Sequence, residues 1–133
     1  MKLFISYRRG DTKAFAGRLA DRLKQESQID EIFIDVDAID AGADFKNKIT
    51  DALKKSAVCL VLIGKDWVGA SASGAPARIS EEGDFIRLEV REALAGQTKV
   101  IPVLVDGAAM PDTHDLPQDV QRLTSLNAIS VRH

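Results

Sequence analysis

The stretch AVCLVLIG at residues 57–64 is the longest apolar run of the chain. It is far shorter than the roughly 20 residues a membrane helix needs, and its β-branched content and terminal glycine read as a strand buried on both faces. A second apolar segment of the same kind covers Val100 to Val105. Strands buried on both faces belong to parallel sheets, whose connections are crossover helices, so helical periodicity is expected on either side.

That periodicity is present. Upstream, Phe45, Ile49, Ala52 and Leu53 recur at helical spacing after a turn at Gly42. Further upstream, Phe15, Ala16, Leu19, Ala20 and Leu23 form another apolar stripe, with Asp11 or Thr12 placed to cap its start. Downstream, an acidic start at Glu81, Glu82 and Asp84 opens a helix running to about Ala95, where Gly96 stops it. Shorter strands fit Leu3 to Tyr7, Ile32 to Ile34 and, more weakly, Ala128 to Val131. Residues 70–77 read as a small-residue loop, 106–115 as a Gly- and Pro-punctuated loop, and 116–123 as one short helix at most. The expected fold is α/β, a flavodoxin-like doubly wound five-stranded parallel sheet with helices on both faces. Its ligand crevice should lie beyond the carboxyl ends of the strands.

Composition agrees with one compact core. The 133 residues are 45% hydrophobic and 29% charged, an ordinary globular balance. Eighteen Lys and Arg against twenty Asp and Glu give a net charge of -2, which offers no field for a phosphate backbone and disfavours nucleic acid as the main ligand. Met1 and Lys2 lead straight into Leu3, Phe4 and Ile5 rather than a signal sequence, so a cytoplasmic location is expected. The single cysteine, Cys59, lies inside the apolar run and reads as a small buried hydrophobe.

Several chemistries lack their residues. No GxGxxG follows the first strand and no GxxxxGK[ST] occurs, so neither a dinucleotide turn nor a P-loop is supported. A phosphate-accepting receiver would carry an acidic pair after the first strand and an aspartate ending the third, where this chain has Ser6-Tyr7-Arg8-Arg9 and Gly64-Lys65. No metal site is expected, because His114 and His133 stand alone and a structural zinc needs four N or S ligands.

Three groups at the crevice remain. Arg8 and Arg9 follow the first strand, where a guanidinium either forks onto a phosphate or carboxylate or pairs with Asp35 or Asp37. Asp35, Asp37 and Asp40 crowd the loop after the second strand and read as solvated loop residues before a cation site. On the third helix, a wheel at 100° per residue makes Ile86, Val90, Ala93 and Leu94 the core stripe, with Phe85, Glu89 and Glu92 along its flank. Glu89 is thus a boundary carboxylate beside an aromatic, either partly desolvated for chemistry or paired with Arg8, Arg87 or Arg91.

In order, FISYRRGD (4–11), FIDVDAIDAGADF (33–45), VCLVLIG (58–64), DFIRLEVREAL (84–94), KVIPVLVDG (99–107) and LPQDVQRLTSLNAISV (116–131) resemble the TIR (Toll/interleukin-1 receptor) domain over nearly the whole chain. The likeness is greatest to the TIR domains that consume NAD, including bacterial defence proteins and a neuronal NADase. It implies a catalytic glutamate at Glu89, from the D-aromatic-x-x-x-E arrangement of Asp84, Phe85 and Glu89, with Phe85 where relatives often carry Trp. It implies substrate contacts from Tyr7, Arg8 or Arg9, Asp37, the loop holding Gly42 and Phe45, Phe85 and Trp67, the last either stacking on a base or packing its loop.

The implied activity is NAD glycohydrolase or ADP-ribosyl cyclase, in bacterial anti-phage immunity, with NAD as substrate and no separate cofactor. Other TIR domains are the implied partners, as a homo-oligomer or filament on activation. The alternatives are a non-catalytic TIR-to-TIR scaffold or host-signalling mimic, and a cleft that senses a nucleotide without breaking it. TIR domains commonly end with a further helix after the last strand, so the chain, here a single TIR domain, reads as one part of a longer protein.

Overall fold

The computed structural model describes residues 1–35, 44–69 and 77–132. Five parallel strands form one sheet: β1 (Lys2–Ser6), β2 (Glu31–Ile34), β3 (Val58–Ile63), β4 (Lys99–Val105) and β5 (Ile129–Val131), in the order β2-β1-β3-β4-β5. The apolar run at 58–63 is therefore the centre of the sheet. Leu3 faces Val58 across one border and Val58 faces Lys99 across the other. The helices are α1 (Arg9–Leu23), α2 (Phe45–Lys55) and α3 (Phe85–Ala95), with 3-10 turns at Arg78–Ser80, Thr113–Asp115 and Gln118–Ser125.

Alternation along β1 and β3 divides the interior into two cores. Phe4, Cys59, Val61 and Ile63 face α2 and α3, meeting Ile49, Leu53, Val90 and Leu94, with Val120 and Leu123 of the last 3-10 turn closing the layer. Ile5, Leu62, Val103 and Val105 face the other way, onto Ala16 and Ala20 of α1. Each fully buried large aliphatic side chain contributes about 1.5–3 kcal/mol by leaving water, so the two layers rather than helix propensity hold the short helices.

Caps follow local sequence for two helices and not for the third. Asp44 caps α2 by accepting from Asn47 N at 3.3 Å, and Asp84 caps α3 by accepting from Arg87 N at 3.2 Å. Gly96 is the C-cap of α3, as its position predicts. At α1, the expected capping by Asp11 or Thr12 does not occur. The helix starts at Arg9, Thr12 sits at a non-helical kink, and the Asp11 carboxylate accepts from Gly64 N at 2.8 Å and Asp66 N at 2.9 Å. A long-range demand for acceptors at the end of β3 has taken the side chain from its local role. Among the described residues, no helix is long and apolar enough to cross a membrane.

Candidate active site

The carboxyl end of β1 is where the chain changes from apolar to charged, and alternation sends successive residues to opposite walls of a cleft. Ser6 and Arg8 turn toward α3, whereas Tyr7 and Arg9 meet Asp35 at the end of β2. Between the walls lies a cavity of about 270 Å³ whose lining includes Tyr7, Arg8, Arg9, Asp35, Arg78, Asp84, Phe85 and Glu89.

Glu89 is 3% exposed, deeper than the boundary position its place on the wheel predicts. The Ser6 hydroxyl donates to its Oε1 at 2.8 Å, across 83 residues of sequence. Its charge is felt nearby: burial first, and then the Glu89 carboxylate, push the Cys59 thiol well above the usual range. Cys59 is buried, as its apolar surroundings predict.

Arg8 is equally buried, at 4% exposure. Its Nη1 and Nη2 donate to the two Asp84 oxygens, each at 2.9 Å, and its Nε donates to the Trp67 carbonyl at 2.6 Å. All three nitrogens are thereby engaged, so Arg8 ties β1, the turn after β3 and the α3 N-terminus together. Phosphate binding by Arg8 would break this tie and leave Asp84 buried without its cation. Arg9 is the solvent-facing partner, 3.4 Å from Asp35, so the expected Arg9–Asp35 pairing is present.

Asp35 also accepts from the Tyr7 hydroxyl at 2.5 Å and adopts a left-handed φ of 57°, uncommon for a residue with a side chain. Burial, then the hydrogen bond and charge of Asp35, push the Tyr7 hydroxyl up to about 12, against an opposing pull from Arg9. Phe85 is half-exposed on the cavity lip, and Phe45 backs it edge-on, their ring centroids 5.2 Å apart. Phe45 therefore reaches the cavity through Phe85.

Of the two roles open to Trp67, base stacking is the one its position corrects. Its ring is fully buried in the α2/α3-side core and does not line the cavity, so stacking on a base is replaced by loop packing. The turn after β3, closed by Trp67 N donating to the Gly64 carbonyl at 3.3 Å, folds the ring inward. Asp37 and Gly42 lie outside the described residues, as does most of the small-residue stretch at 69–76.

The structure adds four residues. Asp84 stood in the motif and in the acidic start of its helix with no role in the cleft, and Asp35 stood as a partner for arginine or a solvated loop carboxylate. Ser6 carried a signal, being a polar residue at an inward position of an apolar strand. Arg78 carried none. Among the described residues, no cluster of three His, Cys, Asp or Glu side chains is arranged to hold a metal ion. The cavity lining thus holds two buried carboxylates, Asp84 tied to Arg8 and Glu89 bonded by Ser6, beside the more exposed Arg9 and Arg78, an arrangement suited to meeting positive charge inside a ligand whose other parts are anionic.

Comparison with known proteins agrees with the fold. The TIR domains of the activated Roq1 resistosome, in a structure directly recognising the pathogen effector XopQ, superpose with a TM-score of 0.61 at 18% identity, over 93% of this chain and 69% of that one. At this identity the likeness is one of fold. The NAD(+) hydrolase sarm1 of Drosophila melanogaster is 23% identical over 135 residues, which take in 100% of this chain and only 9% of that protein. Finally, the TIR domain family model matches residues 3–133, and the chain belongs to the TIR domain family.

Proposed function

We propose that this chain is a single catalytic TIR domain that cleaves the nicotinamide–ribose bond of NAD, as a glycohydrolase or ADP-ribosyl cyclase. The observation that carries the reading is Glu89, a buried carboxylate that accepts from Ser6 and lines the cleft. Support also comes from the likeness to a protein named as an NAD(+) hydrolase.

The nicotinamide nitrogen of NAD is already cationic, so it leaves neutral, taking the electron pair of the broken bond, and needs no general acid. One carboxylate is therefore enough, unlike a glycosidase that must protonate an oxygen leaving group. Positive charge grows on the ribose as the bond breaks, and Glu89, poorly screened by solvent, stabilises it and accepts from the ribose hydroxyls. Water attacking the anomeric carbon and losing a proton to solvent gives ADP-ribose; attack by the molecule's own adenine or a ribose hydroxyl gives a cyclic product. Phe85, backed by Phe45, offers a face to a ring. NAD is the substrate and no separate cofactor enters. The resemblance supports a cytoplasmic role in bacterial anti-phage immunity, switched on by assembly with other TIR domains.

The scaffold reading has one observation in its favour: Phe85 and Ile129 are large apolar side chains left 39% and 51% exposed. The deciding experiment is mass-resolved chromatography of NAD incubated with the protein over a wide concentration range, beside Glu89→Gln. We expect free nicotinamide from the wild type and a loss of at least about 100-fold in the variant, in line with removal of one transition-state electrostatic partner. NAD surviving at every concentration, including those where light scattering shows assembly, overturns the catalytic reading in favour of the scaffold.

A further inference from the structure

Glu89 and the α3 wall account for the ribose, but a dinucleotide also brings a diphosphate, and the structure removes Arg8 from the groups able to meet it. Its three nitrogens are held by Asp84 and the Trp67 carbonyl. Arg9 is partly neutralised by Asp35. A third guanidinium, Arg78, lines the same cavity as Glu89 and also lines an adjoining hollow of about 300 Å³ that holds Lys65 and Val68. Arg78 thus stands between two hollows that together suit a ligand longer than one nucleoside.

Its position is built rather than incidental. Arg78 N donates to the Gly69 carbonyl at 3.0 Å and Ile79 N to the Val68 carbonyl at 3.1 Å, while the neighbouring Ile79 side chain is fully buried. Gly69 has a φ of +72°, and a Cβ there would meet Arg78 Cβ at 2.8 Å and Cγ at 3.1 Å. The stem of Arg78 therefore lies directly against backbone that only glycine supplies at this spacing. A rigid base with an exposed, planar five-donor head is the geometry that favours forked binding of phosphate oxygens. Among the described residues no ion pair engages Arg78, whereas Arg8 and Arg9 each have one.

We propose that Arg78 is the diphosphate-binding residue of the cleft and the group that makes it prefer a dinucleotide over a phosphate-free nicotinamide riboside. The inference rests on the NAD-cleavage reading and refines which residue gives that site its substrate preference.

The test compares wild type, Arg78→Ala and Arg78→Lys on NAD and on nicotinamide riboside, with calorimetric binding of ADP-ribose as a second arm. In Arg78→Ala the KM for NAD should rise about 10- to 100-fold, the range of one charge-assisted contact, with kcat within about twofold. Cleavage of the riboside should be unchanged, Arg78→Lys should fall between, and ADP-ribose should bind at least about tenfold more weakly to Arg78→Ala. The side chain is exposed, so thermal midpoints should stay together. An unchanged KM for NAD, or an equal loss on both substrates, overturns the proposal. If wild type does not cleave NAD, the catalytic reading fails by itself. The ADP-ribose arm still decides Arg78, because equal binding by wild type and Arg78→Ala, or none by either, rejects it.

Discussion

The two walls of the cleft grow from one strand end and treat their charges in opposite ways. On the α3 wall, Arg8 and Asp84 are both buried and meet through two hydrogen bonds of 2.9 Å, and Ser6 holds Glu89 beside them. On the β2 wall, Arg9 and Asp35 are 53% and 41% exposed and 3.4 Å apart. The same pair of residue types is thus a structural tie in one place and a weak surface contact in the other. Burial decides between them, because a lost partner in the interior leaves a charge that water cannot reach, whereas at the surface water takes the partner's place.

The largest effect expected from this difference is at Asp84. Asp84→Ala should lower stability by about 3–5 kcal/mol in denaturant unfolding, since it strands the Arg8 guanidinium and removes the α3 cap. The double variant Arg8→Met/Asp84→Leu, which removes both charges, should recover at least about half of that loss. A single-variant loss below about 1 kcal/mol would erase the contrast between the walls.

Ser6→Ala should come next. It removes a hydroxyl donated to a buried carboxylate, so stability should fall by about 2 kcal/mol and kcat by about tenfold, with KM nearly unchanged. Unchanged kcat would reduce Ser6 to packing.

The smallest effect is expected on the β2 wall. Asp35→Asn should alter stability by less than about 1 kcal/mol, as for other exposed pairs. Its clearer signature is spectroscopic, because Tyr7 is the single tyrosine and its phenolate absorbance can be titrated alone. In the wild type that titration should centre near pH 12, and in Asp35→Asn it should move down toward 10 while burial keeps it from reaching that value. Folding raises this pKa, so the stabilisation it reflects is complete below the unfolded value near 10 and is lost as pH climbs through about 12. A titration that stays at 12 in the variant would separate Tyr7 from Asp35.

Much of this molecule was legible from residue pattern alone. All five strands fall where the sequence places them, with ends shifted by about one residue; the central β3 is held in register by burial, whereas the edge strands β2 and β5 are only partly covered. The position of Glu89 was legible too, through its spacing from Asp84 and Phe85. Its depth was not, since a helical wheel gives direction around an axis and says nothing of how closely the sheet approaches.

The neighbouring arginines could not be told apart for a related reason. The carboxylate that separates their fates is Asp84, 76 residues from Arg8, and no local rule reaches that far. Asp11 misled through its surroundings, and those of Trp67 left two roles open. The first looked like a helix cap and serves the end of β3; the second sits in a polar turn and points into the core.

One buried atom turns this architecture into its own gauge. The lone thiol lies on the middle strand, shut off from solvent and held protonated by its surroundings, with the Glu89 charge as a contributor. Because its side chain faces α2 and α3, the thiol meets a modifying reagent when that helical layer comes away from the sheet. The rate at which Cys59 becomes modified therefore counts openings of the layer that carries Glu89, and does so without an introduced label.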